Sequence, residues 1–265
     1  MTDSPVAAAD TPPTLDPEAR DALAELLLSL ADDEFVIGFW DSEWTGIAPM
    51  LEEDVATSSI AQDELGHAKA FYELLGTLVE DDPDRIAFGR EPEDFRHASL
   101  LNHARGDWAF STTRRYLYET ADAVRLAALA GSAYAPLAAL AGKMRREETY
   151  HLLHAETWLR RLADGAEDGR TRLADALRSL WPDAQQVFAP LEHEERLVRE
   201  GVLPTPMREL HARWTAGVRP VVERIAGPLP DAAVAPDGRR RRTDDFRWLH
   251  GEFTLVARSE EGAVW

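Results

Sequence analysis

Two helical tetrads carry the chemistry of this chain: Glu64-Leu65-Gly66-His67 and Glu148-Thr149-Tyr150-His151. Each sets a carboxylate and an imidazole three residues apart. On a helix that is about one turn, so both side chains leave from one face and reach the same point. Two further glutamates precede them at matching distances, Glu64 following Glu34 by 30 residues and Glu148 following Glu119 by 29. All six sit on otherwise apolar stripes. Leu23, Leu27, Leu30, Glu34 and Ile37 form one; Ile60, Glu64, His67, Phe71 and Leu75 another. Thr112, Arg115, Glu119, Ala123 and Leu126 form a third; Leu137, Met144, Glu148, His151, Ala155 and Trp158 a fourth. A buried carboxylate costs several kcal/mol unless it is paired, protonated or bound to metal. Four on facing stripes repel one another, and two divalent or trivalent metal ions would resolve the conflict. The alternative is a purely structural bundle in which Arg114, Arg115, Arg145 and Arg146 neutralise the acids.

The elements that must position these residues are helices. The periodicity predicts long helices over 16–42, 51–76, 104–130 and 134–164, then shorter ones over 170–180, 184–200, 205–226 and 242–257. No period-two alternation marks a strand. Asp16-Pro17 gives a cap followed by a first-turn proline. Breaks fall at Gly46 and Pro49, Gly131 to Pro136, Gly201 to Pro206, and Gly227 to Gly238. The expected architecture is all-α: a disordered tail over 1–15, then one domain over 16–265, with a four-helix core to 164 and a helical extension over 165–265.

Composition narrows the classes. The chain has 265 residues, a net charge of -19 and no cysteine. Disulfides, zinc-thiolate sites and iron-sulfur clusters are excluded. The negative charge disfavours nucleic acid and anionic membranes as partners. No apolar run approaches a membrane span, and the acidic, proline-rich start is unlike a signal peptide, so a cytoplasmic location is expected. Lysine occurs only at 69 and 143, arginine supplying the other positive charges.

Lesser candidates flank the main set. Asp33, Asp63 and Glu147 each precede a stripe glutamate and suit solvation or orientation of the histidines. Asp41 lies on the first stripe at a helix end. His154 is one turn past His151; His103, His193, His211 and His250 have no matching spacing. Core packing is expected of Tyr72, Tyr116 and Tyr150. The run Arg239, Arg240, Arg241 and Arg242 is the one basic stretch; it reads either as a solvated loop or as a dock for phosphates, a CoA moiety or an acidic partner.

The ligand pattern, one Glu from each of two helices and Glu-x-x-His from two others, is that of ferritin-like di-iron carboxylate bundles. "AQDELGHA" and "REETYH", together with "DSEWTGIAPMLEEDVA", "GDWAF", "LWPD" and the closing "DGRRRRTDDFRWLHGEF", resemble the phenylacetic acid catabolic family, the A-type and C-type components of a multicomponent phenylacetyl-CoA epoxidase. The body resembles the C-type component, in which the metal site has decayed and the role is structural. The six ligand positions, Glu34, Glu64, His67, Glu119, Glu148 and His151, match the A-type catalytic component instead. The resemblance implies two iron ions, with manganese or a mixed pair as alternatives. It implies dioxygen and an aryl-CoA thioester as substrates, a separate reductase, and a homologous partner chain in a homo- or hetero-oligomer. The readings left open are an oxygenase component, a non-catalytic partner, and a stand-alone ferroxidase or iron-binding protein.

Overall fold

A computed structural model describes residues 15–259. Among them are nine α-helices and no strand. The first is α1, Pro17–Ser42, followed by α2, Leu51–Val79, and a short α3, Pro83–Phe88. Then come α4, Trp108–Leu129, α5, Ala135–Ala163, α6, Glu167–Ala184, and α7, Glu194–Arg199. Last are α8, Met207–Ala226, and α9, Asp244–Thr254. Helices α1, α2, α4 and α5 make the four-helix core, and no described helix is long and apolar enough to cross a membrane. The expected tail over 1–15 lies outside the described residues apart from Leu15.

The ends of the core helices follow local chemistry. Asp16 caps α1 by accepting from the Ala19 N–H at 2.9 Å, with Pro17 next to it. Gly46, at φ +84°, turns the chain towards α2, whose first turn carries Glu52, Glu53 and Asp54 at the positive end of the helix dipole. Helix α4 starts at 108 rather than 104. Gly106 sits at φ +70°, where a β-carbon would meet the Phe110 ring, and Asp107 then caps the helix by accepting from the Phe110 N–H at 2.9 Å.

The structure corrects the expected helix over 184–200. A 3-10 turn over Gln185–Phe188 is followed by irregular chain around Pro190, and only Glu194–Arg199 is α-helical. Proline at 190 removes an amide donor and disfavours helix at the residue before it. The segment 83–102, for which periodicity predicts nothing, holds α3 and two 3-10 turns.

Helix α1 is the hub. Every residue from Ser29 to Gly38 is buried, because α1 packs against α2 and is also covered by the 3-10 turn at 99–102, α7 and α9. Helices α6 and α8 cover α4 from outside, stacking Trp181 on Trp214 at 5.3 Å, and the Trp214 Nε1 donates to Thr120 Oγ1 at 2.9 Å. Large side chains of this kind dominate the apolar stabilisation, each worth about 1.5–3 kcal/mol when fully buried. The bundle therefore holds its central face rigidly.

Candidate metal centre

Four elements bring the six stripe residues to one place. Glu34 comes from α1, Glu64 and His67 from α2, Glu119 from α4, Glu148 and His151 from α5. Each is at most 5% exposed. They form two overlapping groups: Glu34, Glu64, His67 and Glu148; and Glu64, Glu119, Glu148 and His151. Within each group one potential ligand atom per residue lies within 4.8 Å of all the others. Glu64 and Glu148 belong to both, so the geometry is that of two adjacent subsites with shared carboxylates.

The imidazoles point inward through Nδ1. His67 Nδ1 is 3.0 Å from Glu148 Oε1 and 3.6 Å from Glu34 Oε2. His151 Nδ1 is 3.3 Å from Glu148 Oε1 and 3.4 Å from Glu64 Oε1. Their outer nitrogens are held by the acids that precede the stripe glutamates, but crosswise between helices. His67 Nε2 is 2.9 Å from Glu147 Oε2 on α5, and His151 Nε2 is 3.4 Å from Asp63 Oδ2 on α2. A carboxylate behind an imidazole fixes its tautomer and orientation.

The outer glutamates differ from each other. Glu34 Oε1 accepts from the Tyr118 hydroxyl at 2.8 Å, and Arg125 Nη2 donates to that same hydroxyl at 3.2 Å. Glu119 Oε1 faces the Arg115 guanidinium, whose Nη1 is 3.5 Å away and also 4.0 Å from Glu64 Oε1. Arg115 is held in turn by Asp41, paired with its Nη2.

Arginines do not satisfy this cluster. Of the four that sequence alone would set against the acids, Arg145 and Arg146 are exposed, and Arg114 donates to the His103 carbonyl at 2.8 Å. Only Arg115 reaches the cluster. Buried atoms without a hydrogen-bond partner remain on all six residues: Glu34 Oε2, both Glu64 oxygens, His67 Nδ1, Glu119 Oε2, Glu148 Oε1 and His151 Nδ1. A buried unsatisfied polar atom costs about 1–3 kcal/mol. Convergence of such atoms from hard carboxylates and imidazoles fits a pair of first-row divalent ions.

Without metal, protons carry the balance. Burial, reinforced by the charge on Glu64, pushes Glu34 well above the usual carboxylate range, and burial with the charge on Glu148 does the same to Glu119. Burial opposes charge on His151, but the carboxylates of Glu148 and Glu64 beside it prevail and raise it to about 10. His67 is raised too: burial works against its charge, and the neighbouring carboxylates of Glu148 and then Glu34 overcome it.

Other side chains fall elsewhere. Asp33 turns away from the cluster, binding Arg125 Nη1 at 2.6 Å and Arg239 Nη2 at 2.9 Å. Asp32 accepts from Arg90 and from the Tyr72 hydroxyl at 2.6 Å. His154 binds Glu53 at 2.7 Å, His103 binds Asp183 at 2.8 Å, and His211 binds Gln185 at 2.7 Å. His250 meets the Arg90 carbonyl at 2.9 Å, and His193 opens α7 at φ +55°. Tyr116 is buried as expected, whereas Tyr150 is exposed, a correction to its expected core role.

The arginine run needs a larger correction. Arg239 is buried and donates to the carbonyls of Arg96 and Val187 as well as to Asp33. Arg242 donates to the carbonyls of Phe95, Pro92 and Arg239. These two guanidiniums bind internal acceptors, not an external anion. Arg240 is exposed beside Glu192 and Glu25, and Arg241 is exposed.

Residue types alone do not single out Tyr118, Arg125 and Asp122, which form the polar layer behind Glu34. Asp122 and Arg125 pair at 2.7 Å. Their signal was a polar residue one turn after Glu119 and an arginine one turn further. Beside Arg115 a narrow cleft, with about 10 Å³ of room for water, is walled by Trp44, Trp108, Trp158, Thr57 and His154.

Two proteins are similar to this chain over most of its length. The chain is 31% identical to the C component of 1,2-phenylacetyl-CoA epoxidase from Escherichia coli (strain K12) over 231 residues, 87% of this chain and 90% of that protein. It is 27% identical to the A component of the same organism's epoxidase over 208 residues, 76% of this chain and 66% of that protein. The family model described as "Phenylacetic acid catabolic protein" matches residues 6–265, and the chain belongs to that family.

Proposed function

We propose that this chain is the metal-bearing component of a multicomponent oxygenase that epoxidises the ring of phenylacetyl-CoA or a related aryl-CoA thioester. The observation that carries the reading is the set of unpartnered, inward-facing atoms on Glu34, Glu64, His67, Glu119, Glu148 and His151. Glu34 and His67 would hold one iron and Glu119 and His151 the other, with Glu64 and Glu148 available to both. Bound iron would supply dioxygen activation, relaying electrons that a reductase delivers. Manganese in one or both positions is compatible with the same donors.

The chain's own residues do the rest. The buried bundle face excludes water from the centre. Glu147 and Asp63 keep the two imidazoles turned inward. Tyr118 holds Glu34 in place by donating to its Oε1. Without cysteine, an iron-sulfur relay has no place in this chain, which supports electron delivery by a separate reductase. A homologous partner completes the assembly in this reading, as the names of the two relatives suggest.

A second reading makes the chain the non-catalytic partner of such a complex, with or without metal. The fuller match to the C-type relative favours it, as does the narrowness of the cleft, which admits water-sized species. Elemental analysis after anaerobic iron loading tests the metal. Two irons per chain, lost in Glu64→Ala/Glu148→Ala, are expected; no metal in the wild type refutes the oxygenase reading. Oxygenation of phenylacetyl-CoA by the loaded chain with reductase, and no homologous partner, would refute the partner reading.

A further inference from the structure

We infer that the two subsites are unequal and fill in order, the Glu34/His67 subsite first, because Arg115 places a fixed cation against the Glu119/His151 subsite. This deepens the metal reading above and rests on it.

Three features point the same way. The first is charge. Arg115 Nη1 lies 3.5 Å from Glu119 Oε1 and 4.0 Å from Glu64 Oε1, both donors of the Glu119/His151 group. It has no close approach to Glu34. An arginine stays protonated across the accessible pH range, so its repulsion of an incoming dication cannot be titrated away. The side chain cannot swing clear either, since Asp41 grips Nη2 and the residue is 4% exposed.

The second feature is competition at the outer glutamates. Glu34 Oε1 receives a neutral phenol, leaving Oε2 free to bind metal. Glu119 likewise keeps Oε2 free, but its Oε1 faces the Arg115 guanidinium, which draws on the carboxylate charge that a metal at this subsite would need. The third is the imidazoles. His67 is oriented by Glu147 at 2.9 Å, whereas Asp63 holds His151 at a longer 3.4 Å. The first subsite is the better prepared.

Calorimetric titration of the metal-free protein with Mn(II), with free Mn(II) followed by EPR, tests this without any turnover. Two binding steps are expected, the first tighter by about tenfold or more. Glu34→Gln should weaken the tight step and Glu119→Gln the weak one. Asp41→Asn/Arg115→Gln, which removes both charges of the pair and keeps the shapes, should bring the two affinities to within about threefold. Two equal steps in the wild type would overturn the inference and leave the metal reading intact. So would Glu119→Gln acting on the tight step. Failure of the wild type to bind Mn(II) at all would remove both.

Discussion

Replacing Arg239 by methionine removes a guanidinium of similar length from a site with little solvent. Arg239 is 7% exposed at its side chain and Asp33 is fully buried. The substitution deletes contacts to Asp33 Oδ1 at 3.0 Å and Oδ2 at 2.9 Å, and to the carbonyls of Val187 at 2.7 Å and Arg96 at 2.9 Å. Asp33 keeps Arg125 at 2.6 Å, so its charge is not wholly orphaned. Breaking one partner of a buried ion pair costs about 3–5 kcal/mol, and the remaining arginine sets the expectation at the lower end, about 3 kcal/mol. In a chain of this size that lowers Tm by about 6–12 °C. Urea denaturation and calorimetry of the full chain measure it. The acid limb gives a second handle. Burial pushes the Asp33 carboxyl up, but Arg239 and Arg125 prevail and hold it below the ordinary aspartate value. Its contribution is therefore complete above about pH 4 and is lost as pH falls through the depressed value. Wild type should lose stability more steeply below about pH 4 than Asp33→Asn does. A loss under about 1 kcal/mol in Arg239→Met would refute the internal, structural role of this arginine. So would wild-type stability combined with weakened binding of anions.

Metal loading should release protons. His151 titrates at about 10 in the metal-free protein, so at pH 7 it must give up a proton to ligate. Apparent affinity should rise with pH across the neutral range, since His67 as well as His151 holds a proton that ligation displaces, and a pH-indicator titration should show protons released on full loading. The same raised value stabilises the metal-free fold below about pH 6.5, and that stability should fade as pH climbs through about 10, visible as a falling Tm in the apo protein alone. Tyr118→Phe leaves Glu34 Oε1 without its donor; about 1–2 kcal/mol of apo stability and a looser first metal step are expected by urea melt and Mn(II) titration. Glu147→Gln should weaken metal binding at the His67 subsite by about tenfold or more, and unchanged affinity would show that the imidazole is oriented by packing alone.

The long helices and the six-residue constellation were legible because both are local signals. Periodicity exposes an amphipathic helix, and Glu-x-x-His places two donors on one turn. What was hidden depends on distance or on burial from several sides. Arg239 meets Asp33 across 206 residues, and nothing in either neighbourhood announces the other. Asp33 looked like a solvated neighbour of Glu34 because stripe reasoning assigns a helix one buried face. Helix α1 has no exposed face from 29 to 38, so adjacent acids are all interior. Tyr118 lies beside Glu119 in sequence yet serves Glu34, since α4 and α1 meet on a different azimuth from the one the stripe marks. The segment 83–102 has short turns in place of a period and offers little to read.

The three consecutive acids of α1 have a mutational consequence. Asp32, Asp33 and Glu34 serve three separate partners: the Arg90–Tyr72 pair, the Arg125–Arg239 pair and the cluster. Each residue turns the helix by about 100°, so the three roles are told apart by azimuth alone. Deleting one residue upstream within α1 would move every later residue back one position, setting Asp33 against the Arg90–Tyr72 pair, Glu34 against the Arg125–Arg239 pair and Phe35 towards the centre. Substitutions on this helix can be absorbed singly, but insertions and deletions between 24 and 31 cannot. In a library of single-residue indels across the chain, this stretch should be the least tolerant.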